Sequence, residues 1–128
     1  MYKEIIITII ILGIVITGDV ISQRYTKKSV EDVKYELSIL RKNIIEKEDK
    51  EKTEKLIIGV TEKWYDYQKN LVYYLEHDEL EKVVTQLSEI KGKIDVNQLD
   101  ESVPEIDKCE FILDHIVEKE TFNFKNIF

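Results

Sequence analysis

From Ile5 to Ile21 the chain reads IIITIIILGIVITGDVI, with Asp19 its one charge. At about 1.5 Å of rise per residue, a helix of this stretch covers roughly 26 Å, close to the hydrocarbon thickness of a bilayer. A short polar lead, Met1 to Glu4, precedes it, and Arg24, Lys27 and Lys28 follow. Residues 5–21 therefore read as a transmembrane helix, and residues 1–28 as a membrane anchor with its juxtamembrane segment.

A cleaved signal peptide is the rival reading. It wants a positive start, a shorter apolar core and small residues before the cut. Lys3 and Gly18 meet those demands, but Ile16 stands where the second small residue should be, and the one cysteine, Cys109, is too far downstream for a lipobox. The stretch is read as an uncleaved signal-anchor. Gly13 and Gly18 are not at the four-residue spacing of the known transmembrane dimer motif. Asp19, near the membrane edge, reads as a solvated interfacial carboxylate. The flanking cations favour a cytoplasmic C-terminal side, yet long following domains translocate largely regardless of charge. The reading leans to a single-pass protein of the cell membrane with its C-terminal domain on the extracytoplasmic side.

The remaining hundred or so residues suit one core. The 128-residue chain carries 26 acidic against 19 basic side chains, net −7, which argues against nucleic acid as a partner. A single cysteine forms no internal disulfide and leaves the redox compartment open. Four glycines and one proline leave few breakers, which favours long helices.

Apolar residues then recur in steps of three and four. Val30, Val33, Leu37, Leu40 and Ile44 form a first stripe, with Ser29 as a candidate cap. The run KEDKEK (47–52) reads as a solvated turn. Ile57, Val60, Trp64, Tyr67, Leu71 and Tyr74 form a second stripe, and Leu80, Val83, Leu87 and Ile90 a third, broken by Lys91-Gly92-Lys93. Leu99, Val103, Ile106, Cys109, Leu113 and Ile116 form the fourth. Each is the apolar face of an amphipathic helix. Short connections favour antiparallel neighbours, so residues 29–120 read as an all-α bundle of about four helices. Pro104 either starts the last helix or kinks it.

The polar candidates are weak. His77-Asp78-Glu79 reads as a turn and helix cap rather than a ligand set. His115 and Glu118 are one turn apart, but no second His–carboxylate pair answers them. Cys109 lies on an apolar stripe and reads as a small buried hydrophobe. No phosphate loop, zinc spacing or nucleophile motif occurs, so no catalytic residue, cofactor or metal is expected. Tyr65 and Tyr73 lie off the second stripe and are candidate partner-binding residues, with core or incidental surface as the default.

The ending TFNFKNIF (121–128) departs from the rest. Its alternation puts Phe122 and Phe124 on one face of an extended segment, with Lys125 on the other. The expectation is an extended aromatic tail folded back into a groove of the bundle, with Phe122 and Phe124 buried. Docking into a partner through Phe122, Phe124 and Phe128 is the alternative.

These features together resemble a bacterial family named only as domain of unknown function 4363. The matching residues are Trp64 within EKWYDYQ (62–68), His77-Asp78-Glu79-Leu80, and above all the ending FILDHIVEKETFNFKNIF (111–128). Pro104 departs from the family's pattern. The resemblance covers nearly the whole chain and implies association with the membranes of Gram-positive, often spore-forming bacteria. It brings no substrate, cofactor or catalytic residue.

The sequence therefore reads as a membrane-anchored, non-enzymatic interaction or accessory subunit of a membrane assembly, with a membrane protein as partner. A membrane-tethered ligand-binding or sensor domain is the alternative, and an enzyme ranks third.

Overall fold

The fold is described from a computed structural model. It describes the backbone of residues 1–127 and their side chains, those of Asn123, Phe124, Asn126 and Ile127 excepted. Four helices follow one another: α1 (Tyr2–Ile45), α2 (Lys50–Leu71), α3 (His77–Asp95) and α4 (Leu99–Ile127). No strand occurs among the described residues.

The helices are packed in a ring, α1 against α2 and α4, and α3 against the same two. The pairings across the ring run in opposite directions. Lys34 and Arg41 of α1 meet Asp114 and Asp107 of α4, at 2.6 and 3.1 Å. Lys63 of α2 meets Glu36 of α1 at 3.3 Å. The result is an up-down-up-down bundle. These pairs are half exposed and contribute little energy; they report register.

The core is built from the predicted stripes. Val33, Leu37 and Leu40 of α1, Ile57, Val60 and Trp64 of α2, Leu80, Val83 and Ile90 of α3, and Ile106, Cys109 and Leu113 of α4 are all buried. Burial of this apolar surface is what holds four marginal helices together.

Four expectations need correction. The anchor and the first bundle helix are one helix: no breaker lies between Ile21 and Ile45, so helix propagates across the expected boundary at residues 28–29. Ser29 is not a cap but a buried side chain whose hydroxyl donates to the Tyr25 carbonyl, 2.7 Å away within the same helix. In α3, Lys91-Gly92-Lys93 does not end the helix, which adds Ile94 to the core. α4 starts at Leu99, ahead of Pro104, and runs on through the expected extended tail to Ile127. Glu118, Lys119 and Glu120 carry helical sequence up to that tail, and nothing after them stops it.

The two ends of the bundle turn differently. At the far end, Lys47 (φ 56°) and Asn97 (φ 61°) adopt left-handed backbone after α1 and α3. Glu48 N–H donates to the Asn43 carbonyl and Gln98 N–H to the Lys93 carbonyl, while Lys47 and Asn97 N–H reach Ile44 and Ile94. Both are Schellman motifs. Asp49 then caps α2 by accepting from Glu51 N–H. At the near end, where the apolar half of α1 meets the bundle, α2 passes to α3 through turns at Val72–Tyr74 and an extended Glu76.

Candidate interaction surface

The structure brings two of the predicted aromatic positions to the near end and leaves a third apart. Phe122 lies on the last turns of α4 and is 62 % exposed; Tyr73 lies in the α2–α3 connection and is 80 % exposed. Contacts fix both segments at the level where the apolar run of α1 ends. The Ser22 hydroxyl donates to Glu120 Oε1 at 3.1 Å, and Gln23 Nε2 donates to Thr121 Oγ1 at 3.2 Å. Lys119 ties α4 to the start of α3, reaching Glu76 and Glu79 at 3.3 and 3.2 Å. Those two hydrogen bonds, Glu79's first, raise the Lys119 ammonium above the usual lysine value.

Tyr65 is exposed about two helical turns before Tyr73, next to Lys63, whose ammonium meets Glu36 of α1. Phe122 corrects one expectation: it is exposed, not buried in a groove of the bundle, because a helical backbone turns it away from the packed face. The side chain of Phe124, and Phe128 altogether, lie outside the described residues. Tyr74 is a further correction. Expected in the core stripe, it lies beyond the end of α2 and is 45 % exposed.

An aromatic cluster that periodicity did not reveal closes this end. The Tyr25 ring meets Tyr67 edge-on with centroids 5.8 Å apart, and Tyr74 at 6.4 Å. Asn70 Nδ2 donates to the Tyr25 hydroxyl at 3.0 Å. The Tyr67 hydroxyl donates to the Asp32 carboxylate. That hydrogen bond, reinforced by burial, pushes the phenol up to about 12. The spacing of Tyr25 from the first stripe was the available signal, hidden because Lys27 and Lys28 interrupt the apolar pattern around it.

Between α1 and α4 at the same end lies an open crevice of about 340 Å³, bordered by Val20, Arg24, Lys27, Val117 and Thr121. It mixes apolar walls with two cations. The remaining candidates do not converge. His77 is exposed and faces Glu81 of its own helix at 3.4 Å; His115 and Glu118 are exposed on α4. No group of three potential metal ligands occurs among the described residues. Cys109 is fully buried, and burial pushes its thiol up to about 12, so it stays protonated and poorly nucleophilic.

A family model described as "Domain of unknown function (DUF4363)" matches residues 20–127, and the chain belongs to that family. The matched residues are those of the bundle; the bare apolar half of α1 precedes them. No curated protein and no solved structure matches the chain.

Proposed function

We propose that this family member is a single-pass membrane protein whose bundle acts, without catalysis, as an interaction or accessory subunit of a membrane assembly. The observation that carries the reading is the apolar half of α1. Its most apolar window has a mean hydropathy of 2.6, and only 6 % of its residues are buried among the described residues. A core helix would be covered; this one needs lipid or another apolar surface around it. Exposed aromatic side chains at Tyr65, Tyr73 and Phe122 support a binding role for the bundle. The neutral, buried thiol of Cys109 and the unconverged histidines support a non-enzymatic one.

Crosslinking in intact membranes, followed by mild detergent extraction of the full chain, tests the proposal. A stoichiometric membrane protein partner is expected. Recovery of the chain from the soluble fraction, without a partner, would overturn it. The crevice between α1 and α4 favours a second reading, a tethered ligand-binding domain, for which a small molecule retained through the same purification is the mark. The bundle is placed on the extracytoplasmic side, because a long domain following an anchor translocates largely regardless of flanking charge. Protease added to intact cells should then digest it, and protection would place it inside.

A further inference from the structure

We propose that the near end of the bundle is itself seated in the headgroup layer of the bilayer, with Tyr73 and Phe122 as its interfacial anchors. The proposal rests on the reading that residues 5–21 cross the membrane. Four features lead from that premise to the seating.

The first is the absence of a linker. The apolar run of α1 ends at Ile21, and the next two residues, Ser22 and Gln23, already bond to Glu120 and Thr121 of α4. Helix α1 is continuous there, so the bundle is held against the membrane surface. The second is the direction of α4. It runs antiparallel to α1 and continues to Ile127. At about 1.5 Å per residue, the residues after Thr121 descend roughly 9 Å beside α1, whereas each headgroup layer is only about 5–8 Å thick. Consistent with that descent, Asp19 and Val20 are half-buried, while residues 5–18 are exposed. The end of α4 has therefore entered the level of the membrane.

The third feature is the height of the α2–α3 connection. Asn70 and Tyr74 contact Tyr25, less than one turn beyond Ser22. Glu76 meets Lys119, which lies one residue before the Ser22 partner Glu120. Tyr73 thus projects from the same end as Phe122. The fourth is chemistry. Tyrosine carries an apolar body with a polar tip, the combination enriched at membrane–water interfaces, and phenylalanine adds apolar area. The far end turns instead through Lys47, Glu48, Asp49, Asn97 and Gln98. Lys119 is paired with Glu76 and Glu79, whereas Arg24 and Lys27 are exposed at the same end, so an uncharged lipid surface is used to read the aromatic contribution alone.

The experiment uses the full chain in phosphatidylcholine vesicles made with lipids brominated either near the headgroup or near the chain terminus. Single substitutions Phe122→Trp and Tyr73→Trp add a reporter to the native Trp64, which is buried in the bundle and stays unquenched. The added emission at both positions should be lost to headgroup-proximal bromine and largely kept with terminal bromine. Tyr65→Trp, higher on α2, should lose none. Ile14→Trp, inside the apolar run, should be quenched most by terminal bromine. If Ile14→Trp is quenched while Phe122→Trp or Tyr73→Trp is not, the anchor stands and the seating is overturned; an exposed near end then belongs to a protein partner. If Ile14→Trp is unquenched by either lipid, the anchor reading falls, and the seating with it.

Discussion

Between Tyr2 and Gly18 α1 is exposed on every side of the helix, Ile9 and Ile14 to more than 60 %. Between Ser22 and Ile45 the same helix buries Ser22, Thr26, Ser29, Val33, Leu37, Leu40 and Ile44 in steps of three and four. The backbone does not distinguish the halves, since a helix satisfies its hydrogen bonds internally in water, protein or lipid alike. The distinction lies in how apolar residues are distributed around the axis. The first half is apolar all round and, up to Gly18, finds no cover among the described residues, whereas the second confines apolar residues to one stripe and meets α2 and α4.

The largest predicted effect separates the halves outright. The full chain should stay with membranes through carbonate extraction, and deleting residues 1–21 should release it. Release of the full chain would show that the bare half is covered by protein rather than lipid. Next come core truncations, measured by denaturant melts of the full chain in detergent micelles. Trp64→Ala, fully buried beside α1, should cost about 3–5 kcal/mol, and Leu37→Ala, in the packed half, about 2–5 kcal/mol. Ile10→Ala, in the bare half, and Tyr65→Ala, on the surface, should each leave the bundle within about 0.5 kcal/mol. Equal losses at Leu37 and Ile10 would erase the distinction.

A smaller effect probes how Asp32, in the packed half, is held. Tyr67→Phe removes its hydrogen bond and should cost about 1.5 kcal/mol at neutral pH. Because the folded phenol titrates near 12 rather than 10, the folded state binds the proton more tightly. The contribution is therefore fully present below pH 10 and is lost as pH rises to about 12. The wild-type advantage over Tyr67→Phe should shrink across that window; a constant difference would show that the bond does not set the titration. The smallest effect is at the end of the packed half. Lys47 sits in left-handed backbone, which costs roughly 1–2 kcal/mol for a side chain. Glycine removes that cost but adds about 0.5–1 kcal/mol of chain entropy. Lys47→Gly should thus stabilise by about 0.5 kcal/mol, and a loss would mean that its side chain matters more than its backbone.

The four apolar stripes, and with them Trp64, were legible because side-chain periodicity is what packing selects. The first stripe nevertheless continues on small hydroxyl residues, Ser22, Thr26 and Ser29, which hydropathy reads as polar. Ser29 is buried cheaply because its hydroxyl bonds the Tyr25 carbonyl of its own helix, and Ser22 bonds Glu120 of α4 instead; among the described residues the buried Thr26 hydroxyl has no partner. Hydropathy therefore starts the first stripe at residues 29–30, although the buried face of α1 begins at Ser22. The aromatic tail misled in another way. Alternation in TFNFKNIF fits a strand, but with no partner strand among the described residues the backbone keeps the helical bonds it already has. The sequence marks Tyr73 as lying off its stripe and expects Phe122 in a groove; their placement at one end depends on the order of helices around the ring, which periodicity does not encode.

An unjointed α1 also makes the bundle a pointer. From Ser22 to Ile45 it extends roughly 36 Å beyond the end of the apolar run, at 1.5 Å per residue. If residues 5–21 cross a bilayer as proposed, one too thin for them tilts the helix, and a tilt of about 10° sweeps the tip sideways by roughly 6 Å. The loops at Lys47 and Asn97 would then register, at arm's length, the thickness of the membrane below.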